Sequence, residues 1–364
     1  MTEQTTVLAA LAHRLERDPD GPYLDIDGVT RTAREMDLES NRLAHALADL
    51  GVRKGDRVAT LIENTIEQVV SFFGVLKLGA IQVPVNTAYK GEFLRHQLTD
   101  SGAKVFVVLG DFASRLEAIV AGDGMLPELE AAIVVGTPDA EITNMRVHDW
   151  GELLGASSED PVEGADVQPS DLACFIYTAG TTGPSKGCML PQNYIVCLAD
   201  QTARAWQRRP DDVVFTPLPL FHFNAISICV VGTLLVGGSA AITRRFSVSR
   251  FWTEVKRTGA TIASLLGSPA MLIADAEDHP DQQGHRLRLC AAAPIPPAID
   301  KLWRERFGCA TFSGGFGLTE ASLISMLPPG EENRPGAAGR INTHEFDVRI
   351  VDDDDIEVAI GEPG

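Results

Sequence analysis

Short apolar runs alternate along this chain with longer segments whose apolar positions recur every three or four residues. The first kind has the length of buried strands, the second the period of amphipathic helices. Residues 6–17 read as a short helix, 23–32 as a hairpin turning at Asp27-Gly28, and 33–50 as a helix stopped by Gly51. Alternation follows: strand 57–62, helix 66–78, strand 80–85, helix 92–100, strand 104–109, helix 112–120, strand 132–135. Residues 151–171, rich in Gly, Ser, Asp, Glu and Pro, read as a linker. After it come strand 172–177, helix 192–207, strand 212–216, an apolar helix 224–235 and strand 240–243. Helix 250–257, strands 261–265 and 288–292, helix 297–306 and strand 309–313 complete the series. Strands separated by helices predict an α/β fold: two packed αβ subdomains with mainly parallel sheets. From residue 335 the texture changes, and 346–351 and 356–360 alternate like antiparallel strands around an acidic turn at 352–355.

The densest chemistry lies at 177–187, Tyr-Thr-Ala-Gly-Thr-Thr-Gly-Pro-Ser-Lys-Gly. Placed between strand 172–177 and helix 192–207, it reads as a strand-loop-helix connection. Its eleven residues hold three glycines, three threonines, a serine and one lysine. Glycines let backbone N–H groups close around an anion, hydroxyls add donors, and Lys186 adds a point charge. That combination makes a polyphosphate cradle of Thr178, Gly180, Thr181, Thr182, Gly183 and Lys186. A plain surface turn is the bland alternative, and it leaves the density of Thr and Gly unexplained. The stretch is not a Walker A loop, because no Ser or Thr follows the lysine.

Composition narrows the function further. The chain has 364 residues, 45% of them hydrophobic, enough for a large core and more than one subdomain. Acidic residues outnumber basic ones 50 to 31, a formal net charge of −19, and no basic cluster stands out. A nucleic-acid partner is therefore not expected. The six cysteines lack Cys-x-x-Cys spacing and read as reduced core residues of a cytoplasmic protein. No signal peptide is expected at the start. No apolar run reaches 18 residues, so no membrane partner is expected either. The run Asp352 to Asp355 lacks the Gly and terminal Glu of a calcium loop and reads as a solvated turn.

Three further stretches stand out. Gly314-Gly-Phe-Gly-Leu-Thr-Glu320 follows a strand. Phe316 offers an aromatic face, Gly315 and Gly317 permit close backbone approach, Thr319 offers a hydroxyl, and Glu320 is a hard oxygen ligand suited to Mg²⁺. By itself this stretch reads equally well as a Gly-rich turn before a helix. Leu289-Cys-Ala-Ala-Ala-Pro294 ends a strand in small side chains. Thr216-Pro-Leu-Pro-Leu-Phe-His-Phe-Asn-Ala225 carries His222, whose bland reading is a structural histidine.

Together these motifs resemble the adenylate-forming superfamily of acyl-CoA synthetases, nonribosomal adenylation domains and luciferases, closest to the acyl-CoA ligases. The family loop reads Thr-Ser-Gly-Thr-Thr-Gly-x-Pro-Lys-Gly; here Ala179 replaces the Ser, and Pro184-Ser185 shifts the proline. Residues 314–320 are similar to the family's Tyr-Gly-x-Thr-Glu, with Phe316 for the Tyr. Gly336-Ala-Ala-Gly-Arg340 onward resembles the entry to a small β-barrel. The resemblance implies that residues 1–330 form the large α/β region and 331–364 the beginning of that barrel. It places the family's hinge, ribose-holding Asp and C-terminal domain beyond this sequence.

The same resemblance implies the chemistry: ATP activates a carboxylic acid as acyl-AMP, releasing pyrophosphate, and coenzyme A captures the acyl group. Lys186, Thr319, Glu320 and His222 are the expected catalytic residues, with Glu320 the Mg²⁺ ligand. Ala291, Ala292, Ala293, Pro294, Gly315, Phe316 and Gly317 are expected beside adenine. His222, Phe223, Asn224, Ser264, Gly267, Gly314 and Leu318 are expected around a bulky apolar acid. An acyl-AMP ligase loading a carrier protein and a nucleotide-binding pseudo-enzyme stay open, as does a homodimer. An amino-acid substrate is disfavoured, because 223–225 supplies no Asp for an amino group.

Overall fold

The computed structural model describes residues 5–121, 126–163, 165–178, 184–329, 331, 334 and 336–364. Helix α1 (Val7–Arg17) is capped by the Thr6 hydroxyl, which accepts from the Ala9 N–H at 3.0 Å. The hairpin β1 (Pro22–Ile26) and β2 (Val29–Thr32) leads into α2 (Ala33–Asp49). Thr32 and Glu35 there form a capping box that satisfies two free helix donors. Next come β3 (Arg57–Leu61), α3 (Ile66–Lys77), β4 (Ile81–Pro84), α4 (Glu92–Ser101), β5 (Ala103–Leu109), α5 (Ala113–Val120) and β6 (Ala131–Val135). Strand β7 (Arg146–Asp149) and helix α6 (Trp150–Gly155) precede an irregular stretch. The middle contains β8 (Leu172–Thr178), β9 (Lys186–Pro191), α7 (Gln192–Ala205) and β10 (Val213–Thr216). A π-helical segment, Ala225–Val231, runs into α8 (Gly232–Val236). The rest is β11 (Ser239–Ile242), α9 (Val248–Thr258), β12 (Ile262–Ser264), α10 (Gly267–Asp275), β13 (Leu289–Ala291), α11 (Pro297–Phe307) and β14 (Ala310–Phe312). Last come β15 (Gly315–Leu318), β16 (Ser322–Met326) and β17 (Arg340–Ile341).

The strands make two seven-stranded sheets, ordered β7-β6-β5-β3-β4-β8-β9 and β14-β13-β12-β10-β11-β1-β2. Each is parallel except for its last strand, which pairs antiparallel. The expected α/β fold with mainly parallel sheets is present. One apolar core joins the inner faces of both sheets, with Val58 and Val105 from the first, Val214 and Ile262 from the second, and helices α1, α2, α3 and α7 between. Leu94 and Leu116 of α4 and α5 cover the outer face of the first sheet. Phe251, Trp252, Trp303 and Phe307 of α9 and α11 cover the outer face of the second. A small antiparallel sheet, β15-β16-β17, stands beside them.

Several elements differ from the sequence expectation. The 177–187 stretch joins two strands, not a strand and a helix: Thr178 pairs with Lys186 and Phe175 with Met189 before α7 begins. Cys188 to Leu190 make an apolar run of only three residues, too short for the pattern to separate a strand from its loop. Helix α10 begins Gly-Ser-Pro, a sequence that reads as a breaker, yet proline is tolerated in a first turn whose N–H groups need no helical partner. Residues 346–360 make one local hairpin and not two full strands. The Asp352 N–H donates to the Ile356 carbonyl, the Val358 N–H donates to the Ile350 carbonyl, and the Asp352 carboxylate accepts from Asp354 and Ile356. The acidic turn is thus capped by its own first aspartate. Cys174, Cys229, Cys290 and Cys309 are buried, and all six cysteines are free thiols.

Candidate active site

Parallel strands leave a crevice at their carboxyl ends, where ligands bind in open α/β sheets. Here that end of the second sheet opens into a cleft of about 410 Å³. Its walls come from the segment after β10, the turn after β13, the β15–β16 hairpin, one face of α7 and Ile176 of β8. Apolar side chains dominate, among them Leu198, Leu218, Phe223, Ile228 and Leu323, and none of its lining residues carries a charged Lys, Arg, Asp or Glu side chain.

Of the residues expected at the site, His222, Phe223, Asn224, Ala293, Pro294, Gly315, Gly317, Leu318 and Thr319 line this one cleft. Ser264, Gly267, Ala291, Ala292 and Gly314 are buried behind its walls. The Ser264 carbonyl there accepts from the Thr216 hydroxyl at 2.8 Å, and a Cβ at Gly267 would meet the Pro294 carbonyl oxygen at 2.2 Å. Close helix–turn packing therefore requires the glycine. Phe316 alternates to the other face of β15 and is 51% exposed. Glu320 is exposed, with no ion pair among the described residues. Burial raises the pKa of both Cys188 and Tyr194, and the Glu320 carboxylate pushes each further the same way. Glu320 follows Thr319, whose carbonyl is held by Tyr194 at the start of α7, the helix after β9. Lys186 itself is exposed at the head of β9, opposite Thr178. Gly180, Thr181, Thr182 and Gly183 lie outside the described residues.

Both strands at the base of that loop are held by α4. His96 Nε2 donates to the Ser185 carbonyl at 2.9 Å, and the Tyr177 hydroxyl donates to the Asp100 carboxylate at 2.6 Å. Burial and that carboxylate both raise the pKa of Tyr177, so it stays a neutral donor.

Sequence reasoning missed Tyr194. Its hydroxyl donates to the Thr319 carbonyl at 2.7 Å, and its ring lies 5.1 Å from Phe223. It ties the first turn of α7 to the β15–β16 turn and forms part of the wall. The available signal was a lone Tyr at the start of the helix after a phosphate-type loop. The π-helical segment was also missed as such; it places Ile228 in the wall directly after Asn224. Asn224 Oδ1 and Ser313 Oγ are buried without a hydrogen-bond partner among the described residues. His222 is exposed at the rim, and surrounding protein mass lowers its pKa by desolvation. The imidazole is therefore neutral near pH 7.

The model of the AMP-binding enzyme family matches residues 11–364, nearly the whole chain. The chain belongs to this family. Long-chain-fatty-acid–CoA ligase of Yersinia pestis is 30% identical over 96% of the chain and 66% of its own length. Mouse long-chain fatty acid transport protein 6 is 26% identical over 93% of the chain and 54% of its length. The chain thus spans about half to two thirds of these curated relatives. Among solved structures, the anthranilate CoA ligase AuaEII in complex with anthranoyl-AMP superposes with a TM-score of 0.86 at 27% identity, covering 98% of this chain and 68% of that one. The adenylate-forming assignment implied by the motifs at 177–187 and 314–320 is borne out at family level.

Proposed function

We propose that this chain provides the ATP and acid sites of a carboxylate–CoA ligase. A carboxylate oxygen attacks the α-phosphorus of ATP, the bond to the bridging oxygen breaks, and pyrophosphate leaves. A coenzyme A thiol then attacks the acyl carbon and AMP departs. The observation that carries this reading is the cleft itself. It joins the Thr319 turn, the small residues Ala293 and Pro294, and the wall of His222, Phe223 and Asn224. A carboxylate needs no deprotonation to attack, so catalysis rests on positioning and on stabilising phosphate charge. Thr178, Thr181, Thr182 and Lys186 hold the β and γ phosphates in this reading, and Thr319 holds the α-phosphate.

Glu320 would hold a Mg²⁺ ion, which would supply positive charge against the phosphates. It is an exposed carboxylate without an ion pair among the described residues, directly after Thr319 of the cleft wall. No cluster of three metal-ligating side chains occurs among the described residues. Glu320→Gln keeps the shape and loses the anion, so the Mg²⁺ needed for half-maximal adenylation should rise about tenfold or more. An unchanged Mg²⁺ titration would remove Glu320 from that role.

A bulky apolar acid suits the uncharged walls. Burying an apolar group the size of a Leu or Phe side chain contributes about 1.5–3 kcal/mol, on the order of ten- to a hundredfold over acetate. ATP–pyrophosphate exchange across a panel of carboxylic acids tests the reading: aromatic or medium-chain acids should drive exchange and acetate should not. Exchange with no acid would overturn it. His222→Ala should raise KM for the acid roughly tenfold and leave KM for ATP alone. Equal KM values for both, across several acids, would make this histidine structural. By proton NMR its imidazole should titrate below the ordinary imidazole range. Its pKa is lower folded than unfolded, so protonation opposes the fold, and only as pH falls through the unfolded value.

A further inference from the structure

The two halves of this site are built on different sheets. The loop bearing Thr178 and Lys186 hangs from the first sheet, and the acid wall at 218–224 follows β10 of the second. In-line attack needs the carboxylate and the α-phosphorus in contact, so the two sheets must stand in one fixed relation. Besides the shared apolar core, two residues after β3, Glu63 and Asn64, tie the first sheet directly to loops of the second.

Asn64 is 4% exposed. Its amide group donates to the carbonyls of Leu218 and Thr243, both at 2.9 Å, and its amide oxygen accepts from the Leu220 N–H at 2.7 Å. Both donor positions and an acceptor position of one side chain are thus used on three backbone groups of the other sheet's loops. Two of these groups flank Pro219, itself part of the cleft wall and three residues before His222. Glu63, 7% exposed, is gripped by Arg244 and Arg245, which directly follow Thr243. Burial alone would raise the Glu63 pKa, but the two guanidinium groups hold it below the ordinary value, so the carboxylate stays charged. A first-sheet loop thereby fastens the segments after β10 and after β11 together.

We propose that Asn64 is a positioning residue for adenylation, setting the register between the phosphate loop on one sheet and the acid wall on the other. Asn64 touches neither ATP nor acid; it acts through Leu218 and Leu220. The inference rests on the adenylation reading given above. A purely structural asparagine would lower stability and weaken all ligands alike. A register-setting one lowers the rate of the step that needs both half-sites while each half-site binds normally.

The test compares wild type with Asn64→Ala and the isosteric Asn64→Asp, which keeps an acceptor for Leu220 and sets an anion against two carbonyls. Three quantities are measured: kcat of ATP–pyrophosphate exchange, KM for each substrate, and calorimetric affinity for an acyl-sulfamoyl adenosine, which lacks β and γ phosphates. The expected result is a kcat lowered at least about tenfold in both variants. KM values and analogue affinity should stay within about twofold. Hydrogen exchange at the Leu220 amide should speed up in Asn64→Ala. Unchanged kcat, or analogue affinity falling in parallel with kcat, would overturn the inference. Wild type that neither drives exchange nor binds the analogue would overturn the adenylation reading and this inference with it. Wild-type exchange undisturbed in both variants would overturn this inference alone.

Discussion

Lys186→Ala is expected to slow adenylation by roughly ten- to a thousandfold, the scale for removing one transition-state charge contact. Lys186 opens β9 directly across from Thr178, so it stands at the mouth of the loop rich in Gly and Thr. It is exposed and makes no ion pair among the described residues. A cation without an ion-pair partner among the described residues at that place is available for phosphate oxygens. Because it is exposed, its removal leaves no buried group unsatisfied and should not unfold the chain. The rate of ATP–pyrophosphate exchange measures the effect, with thermal melting as the check on folding. A normal rate with normal folding would mean that the ammonium faces solvent throughout the reaction.

Gly317→Ala is expected to damage the site from within the fold. A Cβ at 317 would lie 2.2 Å from the Ser322 carbonyl oxygen, a backbone atom of the paired strand β16. Backbone cannot rotate away as a side chain can, so β15 and β16 must part. That moves Gly315, Leu318 and Thr319 together, because all three line the cleft on the same hairpin. Overpacking of this kind costs about 1–3 kcal/mol. The expected readouts are a lowered Tm and at least about tenfold weaker binding of an acyl-adenylate analogue. Gly155→Ala is the control, since its Cβ would have nothing within 4 Å. Equal behaviour of the two variants would show that the hairpin is not a rigid wall.

Much of the architecture was legible because strand–helix alternation carries its own period. The 33–50 helix, for example, follows from its period and its stop at Gly51. What failed to read were short elements whose pairing is non-local. Strand β9 offers too short an apolar run, and β15 looks like a Gly-rich loop because Gly315 and Gly317 serve close approach to β16. The location of residues 314–320 was readable; their hairpin form was not. Likewise the motif at 216–225 pointed to His222, Phe223 and Asn224. Nothing in it shows that Tyr194 reaches Thr319, 125 residues away, or that Ser264 and Gly267 stand behind the wall. Those outcomes depend on which strands become neighbours, and that is settled by packing across the whole chain.

The most direct measurement is calorimetric titration of residues 1–364 with an acyl-sulfamoyl adenosine bearing an aromatic or medium-chain acyl group. Adenylation at this cleft predicts saturable binding at one site per chain, displaced by the matching acyl-AMP and weakened by Gly317→Ala. A folded chain that takes up no analogue, or binds it equally well after Gly317→Ala, would contradict the assignment of this cleft as the adenylation site.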